Sequence, residues 1–464
     1  MIGLGLFMRV GQRVLGGLSA LLKALVARAT YSENLNDSQA IIDAIEAAGV
    51  LDDATILLTP TATSNALVHC VKDNTSNSDF DFDRASSATR INSNATIEDI
   101  TSDLARINYD GNGANGHILL EPTSTNLLTY SEDFLHSSGY WNKSNTVIES
   151  TAITSPDGNS NTYKLFANTN TTGHFTDYDG YTGAGVGETY TFSLFVKSAG
   201  SDFVQIASSS GFPSRYQNFN LSTGALASGD ISNATIEAYP NGWYRISVTE
   251  TTTSTSRRFL IVPALTDMLR NASFTGTVEE DGVYIFGAQL EQLSYPTSYI
   301  PTSGSSVTRA AETLTGSGNS TLINSTEGVL YAEIAALAND SKDRRIAVSD
   351  GTDANGAIIE YNSTSNVVKG YVITGSTTVA ELSYTLSDST NYSKVALKWK
   401  ANDFALWVDG TERDTDAAGS VPSASTFTTL DFNDGVDDNF HGKCKCLAVF
   451  DVALTDQELT DLTT

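Results

Sequence analysis

The sequence predicts an all-β protein with two β-sandwich or jelly-roll domains and a short helical N-terminal segment. Three observations support this class. Aromatic and β-branched runs bounded by Gly, Pro and Asn recur along the chain, as at 241–248 and 283–302. Turn signals separate such runs about every dozen residues, which is typical of sandwiches and barrels. Charged residues make up only 17% of the 464 residues, whereas Ser, Thr, Asn and Gly are abundant.

Residues 1–50 are expected to be helical. An apolar stripe there has the spacing of one helix face. Its members are Val14, Leu15, Leu18, Leu21, Leu22, Leu25 and Val26. The stripe is too short and too charged to cross a membrane. We therefore expect a helix that docks on a partner protein or self-associates, and we expect residues 51–117 to be a strand-rich connector.

Two β domains follow, and we place them at 118–312 and 313–464. Residues 302–306 are rich in Ser and Gly and are expected to form a flexible break between them. In the second domain, Asp409 and Gly410 predict a hairpin turn. Near its end, Thr455 with Glu458 predicts a capped helix.

Several segments of the first domain resemble a module of tail-fibre and other virion structural proteins of tailed bacteriophages. The resemblance spans roughly residues 80–312 and includes an Arg-x-Ser-Ser-Ala-Thr-Arg segment, a Leu-Leu-Glu-Pro segment and a closing Gly-Ala-Gln-Leu-Glu segment. The matching stretches are 83–92, 108–111, 119–134, 156–158, 190–197, 242–249 and 284–311. This resemblance implies a location on the virion and a jelly roll like that of carbohydrate-binding modules, but it implies no particular ligand.

The second domain resembles the concanavalin A-like lectin and laminin-G sandwiches. The matching stretches are 404–410, 442–450 and 452–459. Cys444 and Cys446 are unusual for this pattern. Two residues apart in a strand, they are expected on one face at roughly 6.8 Å, a spacing that suits a disulfide poorly. Together with Cys70 they are expected to be buried small side chains.

The charge balance bears on the partners. The chain carries 54 acidic and 27 basic residues, a formal net charge of −27. Phosphate backbones need a basic footprint, so nucleic acid is excluded as a partner. No segment reaches the length of a membrane span.

Exposed aromatic side chains are the candidates for glycan binding, because sandwich modules stack flat rings on the C–H faces of sugars. The candidates lie near predicted turns or strand ends of the first domain: Trp141, Tyr178, Tyr181 and Tyr216. The alternative for Tyr178 and Tyr181 is ordinary loop packing.

One acidic loop is the candidate metal site, and calcium is the ion it suits, since hard oxygen ligands occur at alternate positions. The candidate ligands are Asp431, Asn433, Asp434 and Asp437. Gly442 stands where an EF-hand loop would carry its bidentate Glu. A solvated acidic turn is therefore the alternative, and no cofactor is required.

We expect no catalytic residues, because the Glu-x-Asp-x-Glu strand motif of related glucanases is missing and the five histidines are scattered. These observations predict a virion structural protein of a tailed bacteriophage, a tail or head fibre anchored through residues 1–50 to other virion proteins. A homo-oligomer is expected, a trimer for a fibre. The sandwiches would contact host-surface polysaccharide. A decoration protein without a host-binding role and, third, a polysaccharide depolymerase are the alternatives.

Overall fold

The computed structural model describes residues 18–28, 33–61, 67–72, 78–136, 140–178, 185–255, 257–277 and 282–464. Three α-helices lie in these residues and most other regular structure is strand, which confirms the predicted all-β class with a short helical N-terminal segment. The first part of the chain contains α1 (Ala20–Arg28), α2 (Leu35–Ala47), β1 (Ala54–Leu58), β2 (Leu67–Val68), β3 (Phe80–Asp83), β4 (Ala88–Ile91), β5 (Ile97–Ile100), β6 (Arg106–Asn108), β7 (His117–Leu120) and β8 (Ser124–Asn126).

The middle of the chain contains β9 (Trp141–Ser144), β10 (Thr146–Thr151), β11 (Thr162–Ala167), β12 (Thr171–Thr172), β13 (Phe175–Tyr178), β14 (Thr189–Ser198), β15 (Phe203–Ser209), β16 (Tyr216–Asn220), β17 (Ala225–Gly229), β18 (Ala234–Tyr239), β19 (Trp243–Thr251), β20 (Arg258–Ala264), β21 (Phe274–Thr275) and β22 (Gly282–Glu291). The last part contains β23 (Val307–Arg309), β24 (Thr313–Thr315), β25 (Glu327–Ala336), β26 (Arg344–Ser349), β27 (Gly356–Tyr361), β28 (Val367–Thr374), β29 (Thr377–Thr385), β30 (Ser393–Lys400), β31 (Phe404–Val408), β32 (Thr411–Asp416), β33 (Thr429–Asp431), β34 (Gly442–Phe450) and α3 (Asp456–Thr463).

The first sandwich consists of two six-stranded antiparallel sheets. Sheet I has the order β10-β11-β22-β14-β19-β18, and sheet II has the order β17-β16-β15-β20-β13-β9. Side chains alternate along β14, so that Phe192 and Leu194 enter the core between the sheets. Phe195 faces the other side and packs edge-on against Tyr299. Both faces of sheet I are thus covered, which explains the unbroken run of buried residues along this strand.

The second sandwich draws strands from both ends of the chain. Sheet III has the order β32-β31-β30-β25-β34-β7-β6, with β1 also paired to β34, and sheet IV has the order β29-β28-β27-β26-β33. Strand β34 pairs with β25 along one edge and with β1 and β7 along the other. Strand pairing therefore crosses the predicted boundaries at 117/118 and 312/313. The division of the chain into four separate folding units stays a prediction.

The Ser- and Gly-rich stretch at 302–306 is held against the first sandwich. The Ser131 amide donates to Thr302 Oγ1 at 3.0 Å, and the Thr302 amide donates to Ser131 Oγ at 2.8 Å. Tyr130 and Ser303 form an isolated antiparallel bridge. These contacts hold Thr302 and Ser303, whereas Ser305 and Ser306 are exposed. The flexible break between the two β domains stays a prediction.

The N-terminal helices pack on the outer face of sheet III. Leu22 and Leu25 of α1 are buried, as are Ile42 and Ile45 of α2. They share one apolar cluster with strand residues of sheet III and with α3. Each buried Leu contributes about 1.5–3 kcal/mol. The expectation that this stripe needs a partner protein is wrong for residues 18–28, since the chain's own sheet covers it. Val14 and Leu15 lie outside the described residues.

The two neighbouring cysteines lie on opposite faces of sheet III. Cys444 enters the core between sheets III and IV, whereas Cys446 lies under the helices. A register shift in the pairing with β25, between Glu333 and Ile334, adds one residue to β34 and reverses the alternation. The expectation of a shared face is therefore wrong, while the expected burial of both thiols is confirmed.

Two local predictions in the second sandwich are confirmed. Asp409 and Gly410 both have positive φ and join β31 to β32 through a two-residue loop. Thr455 caps α3 in a capping box, with its side chain and that of Glu458 each accepting from the other's backbone amide.

Five charged side chains meet between the two sandwiches, and each is at most 4% exposed. We call them the junction network: Arg84, Arg106, Glu121, Arg309 and Glu312. Arg106 bridges the two acids, with Nε 2.8 Å from Glu312 Oε1 and Nη2 2.8 Å from Glu121 Oε2. Arg84 Nη1 lies 2.7 Å from Glu312 Oε1, and Arg309 Nη1 lies 3.0 Å from Glu121 Oε2.

Backbone and hydroxyl groups complete the junction network. Glu312 Oε2 accepts from the Glu121 amide at 2.9 Å, and Glu121 Oε1 accepts from the Ser298 amide at 2.8 Å. Burial raises the pKa of Glu121, but the Arg309 and Arg106 charges outweigh burial and hold that pKa well below its usual range. The Glu121 carboxylate is therefore ionised. Three guanidinium groups and two carboxyl groups meet in a site with almost no solvent exposure.

Glu312→Ala should destabilise the protein strongly. Arg84 and Arg106 would lose their shared counter-charge in a buried site, a change that costs about 3–5 kcal/mol. Chemical denaturation measures the loss. The control is Glu381→Ala, which removes an exposed pair with Lys369 and should cost less than about 1 kcal/mol. Equal losses for the two variants would contradict the role given to the junction network.

Two histidines should make the protein acid-sensitive. Burial, with the charges of Lys443 and Arg344 respectively, lowers the pKa of His117 to about 3 and that of His441 to about 4. The unfolded chain titrates its histidines near ~6.5. The unfolded state then binds more protons below that pH, so stability is lost as pH falls from about 6.5 towards 4. Thermal melts across this range should show the decline, and His441→Gln should reduce its slope. An unchanged slope would contradict this assignment.

Candidate functional site

Two of the four predicted glycan-binding aromatics are core residues of the first sandwich. Trp141 and Tyr178 lie opposite each other on β9 and β13, with rings in edge contact at 5.2 Å. Trp141 is 4% exposed and its Nε1 donates to the Tyr130 carbonyl at 3.0 Å. Tyr178 is 7% exposed and its hydroxyl accepts from the Thr129 amide at 2.9 Å. Neither offers a ring face to solvent, so the predicted direct contact is wrong for both.

The other two predicted residues do not join them. Tyr216 is half-buried on β16 and packs beside Leu260 and Val262, a cluster separate from the core that holds Trp141 and Tyr178. Tyr181 lies outside the described residues. The structure therefore does not assemble the predicted set as one site.

A different set of rings lies above Trp141 and Tyr178. Tyr130 and His136 stack with centroids 3.7 Å apart and planes 20° apart, and Tyr140 lies 5.2 Å from Tyr130. All three side chains are half-buried. We call Tyr130, His136 and Tyr140 the aromatic platform. Tyr140 is also parallel to Tyr178, at 5.7 Å and 7°. The buried ring thus supports the more accessible one.

Hydrogen bonds fix the segment that carries Tyr130 of the platform. Asn126 Nδ2 donates to the Ile300 carbonyl at 2.8 Å, and its Oδ1 accepts from the Leu290 amide at 3.1 Å. The Ser131 hydroxyl pairs with the Tyr299 hydroxyl at 2.8 Å. These contacts tie 124–131, and with it Tyr130, to 299–303 at one edge of the first sandwich.

Glu132, two residues after Tyr130 in the chain, is a partly buried acidic group of the same segment. Glu132 accepts from the Tyr299 hydroxyl at 3.0 Å and from Asn161 Nδ2 at 3.1 Å. Burial raises the pKa of Glu132. Through these hydrogen bonds, Glu132 connects its segment to Tyr299 and Asn161.

The platform residues were missed because single residues were weighed by their nearness to turns. The available signal was local density: five rings, those of Tyr130, Phe134, His136, Tyr140 and Trp141, occur within a dozen residues. Alternation could not show which of them faces the core, because the described residues between β8 and β9, 127–136 and Tyr140, are not in a strand.

The acidic loop gathers part of the predicted metal site. Asp434 and Asp437, both predicted, have carboxylate oxygens within 4.8 Å of one another and of Asp438, which was not predicted. Of the other two predicted ligands, Asp431 Oδ1 accepts from the Gly316 amide and Asn433 Oδ1 accepts from the Gly435 amide. The sequence shows that Asp431 and Asn433 belong to the acidic loop, but it does not show where their side chains point.

A guanidinium competes for the same oxygens. Arg345 Nη1 lies 2.6 Å from Asp434 Oδ2 and 2.9 Å from Asp438 Oδ2, and Arg345 Nε lies 2.6 Å from Glu360 Oε2. Asp434 Oδ1 also accepts from the Asp437 amide at 3.0 Å. The Arg345 ion pairs and the hydrogen bond within the loop are enough to explain why the three aspartates lie close together. Calcium binding remains a prediction, which a calorimetric calcium titration of the full chain tests.

No protein-family model and no curated protein matches the chain. Among solved structures, the carbohydrate-binding module CBM40 of the Ruminococcus gnavus IT-sialidase, bound to α2,3 sialyllactose, is 15% identical, with 30% of this chain and 83% of that chain covered and a TM-score of 0.26. The SAP-like pentraxin from Limulus polyphemus is 11% identical, with coverages of 31% and 71% and a TM-score of 0.25. A botulinum neurotoxin serotype D/C binding domain is 13% identical, with coverages of 32% and 40% and a TM-score of 0.27.

At these TM-scores and identities, the three structures establish neither the fold nor the function of this chain. The sandwich architecture rests on the strand pairing described above. Within the described ranges, no helix has both the length and the apolar character of a membrane span.

Proposed function

We propose that this chain is a virion surface protein of a tailed bacteriophage, a tail or head fibre, whose first sandwich binds host-surface polysaccharide through the aromatic platform. The phage origin is supported by the motif resemblance across residues 80–312. Glycan binding is supported by the platform. Catalysis is not part of the proposal.

The observation that carries the proposal is the parallel stacking of Tyr130 on His136 beside Tyr140. Aromatic faces suit sugar rings because they offer flat apolar surfaces to the C–H faces, while the tyrosine hydroxyls reach polar groups. Tyr140 stacks on Tyr178, and the Ser131 contacts hold the segment that carries Tyr130. Little side-chain freedom is lost when a sugar binds to such a preorganised surface.

Affinity on a virion would come from repetition. One shallow platform binds a sugar weakly, but many copies on a particle meet many copies of a host polysaccharide. Avidity then exceeds single-site affinity by about 10²–10⁴ when the geometry allows simultaneous contact. A homo-oligomer, a trimer in a fibre, would serve this purpose.

Assembly with other virion proteins is proposed through the N-terminal residues 1–50. The buried faces of α1 and α2 are not available for it, since Leu22 and Ile42 lie against sheet III. Any contact must use the outward faces of these helices or the residues before Leu18. Light scattering of the full chain and of a variant lacking residues 1–17 tests this, because an unchanged oligomeric state would exclude that segment.

The test of glycan binding replaces two platform rings. Tyr130→Ala with Tyr140→Ala should weaken binding of host polysaccharide about tenfold or more, because each stacked ring contributes about 0.5–1.5 kcal/mol. Biolayer interferometry with immobilised polysaccharide and the full-length chain measures it. The hydrogen bond to Trp141 should survive, since Tyr130 makes it through its backbone carbonyl. A thermal melt checks the fold of the double variant, because Tyr140 also packs against the core.

Two matched variants serve as controls. Tyr130→Phe with Tyr140→Phe keeps the rings and should keep most of the binding, and Tyr216→Ala alters a tyrosine of another cluster and should change nothing. Equal binding by the alanine and phenylalanine variants would remove the platform from the proposal. Normal adsorption by virions that lack the protein would favour a decoration protein instead.

A further inference from the structure

A buried histidine lies in the contact region between the two sandwiches, which we call the seam. His117 on β7 is 1% exposed. It lines a cavity of the seam together with Phe195, Tyr239 and Arg245 of sheet I. The imidazole of a strand in the second sandwich therefore lies beside side chains of the first.

The hydrogen bonds of His117 leave no place for a second proton. Its Nδ1 lies 2.9 Å from the Asn115 carbonyl oxygen, and its Nε2 lies 3.4 Å from Asn108 Nδ2. Two other contacts orient the Asn108 amide: Oδ1 accepts from the Ile91 amide at 2.9 Å, and Nδ2 donates to the Tyr109 carbonyl at 3.0 Å. His117 Nε2 thus faces a donor and can only accept, as in a neutral ring. A proton on Nε2 would set two donors against each other.

A second histidine of the seam also lacks an acceptor for a further proton. His441 immediately precedes β34, in which Gly442 pairs with Leu120. The same register brings His441 across from Glu121 of the junction network. His441 Nε2 is buried and has no hydrogen-bond partner among the described residues. An N–H at this position would remain unsatisfied.

The surroundings of both rings favour the neutral form. Burial and nearby cations lower the pKa of His117 to about 3, and burial with the Arg344 charge lowers that of His441 to about 4. Acids are present, but burial outweighs them. The charged and titratable groups around His117 are Arg90, Arg106, Tyr109, Asp110, Glu121, Glu237, Tyr239, Arg245, Tyr299, Tyr392, Lys443 and Lys445, and those around His441 are Arg309, Glu312, Glu121 and Arg344.

We propose that the seam is an acid-sensitive contact, at which the two sandwiches separate in mildly acidic solution before either of them unfolds. Separation hydrates both imidazoles, and hydrated histidines titrate near ~6.5. The separated state then binds more protons than the closed state, so a falling pH favours separation. Each pH unit between about 6.5 and 4 shifts this equilibrium by up to about tenfold per histidine. This behaviour does not depend on the glycan binding proposed above.

One tryptophan reports on the seam. Trp243 is 2% exposed and belongs to an apolar cluster on the outer face of sheet I, with Phe195 and Tyr299. The other three tryptophans belong to different clusters: Trp141, Trp399 and Trp407. Separation of the sandwiches should therefore expose Trp243 and leave the others buried.

Tryptophan emission and acrylamide quenching of the full chain, followed from about pH 7 to about 4.5, test the proposal. We expect a reversible red shift and stronger quenching on acidification, with unchanged far-UV circular dichroism. Trp243→Phe should remove most of this change. His117→Gln keeps one donor and one acceptor but does not titrate, so the ratio of separated to closed chains near pH 5 should fall about tenfold or more.

The matched control is His174→Gln, which replaces a buried histidine that contacts only backbone carbonyls of the first sandwich. This variant should leave the pH midpoint of the emission change where it is, and a shift as large as that of His117→Gln would overturn the proposal. Emission that stays constant, or that changes together with the circular dichroism, would overturn it as well. If His117→Gln does not fold, His441→Gln gives an independent test with the same expected loss.

Discussion

The junction network is the interaction on which the arrangement of this protein depends. Its five charges come from distant parts of the chain, and the Arg84–Glu312 contact closes a separation of 228 residues. A buried ion without its partner is far more costly than an exposed one, so removing one member of the network destabilises the members that remain. Three guanidinium groups with fixed planar geometry also restrict the positions that the two carboxylates can take. The network therefore acts less as a source of stability than as a constraint on geometry.

Several features of the molecule follow from this constraint. With Glu121 and Glu312 held at one point, β7 and β24 lie at the seam between the sandwiches, and β7 can pair with β34. The outer face of sheet I is then covered, which explains why Phe195 is buried on a strand whose other face is core. The segment 295–303 is held in the same region, and it supports the edge that carries the aromatic platform.

Much of the local structure could be predicted from the sequence. The Asp409–Gly410 turn and the Thr455 cap depend on a few neighbouring residues, and both were predicted correctly. Long-range pairing could not be predicted in the same way. Nothing in the pattern of residues 54–58 or 117–120 shows that they pair with residues 442–450, because alternation reveals which side chains share a face but not which strand lies alongside.

The candidate site shows the same limit. Trp141 was predicted to be an exposed ring near a strand end, yet its burial depends on β13, which lies more than thirty residues away in the chain. The charged residues of the junction network were visible as part of the phage resemblance. The sequence did not show that they meet at one point. Their role emerges only when both sandwiches are assembled. The N-terminal stripe likewise predicted a helix correctly and its partner wrongly, because the sheet that covers it is built from the opposite end of the chain.

We expect the junction network and the shared strands of sheet III to make the two sandwiches one cooperative unit. Differential scanning calorimetry of the full chain near neutral pH tests this most directly. A single transition whose calorimetric and van't Hoff enthalpies agree is the predicted result. Two resolved transitions, each with the enthalpy of one sandwich, would contradict it.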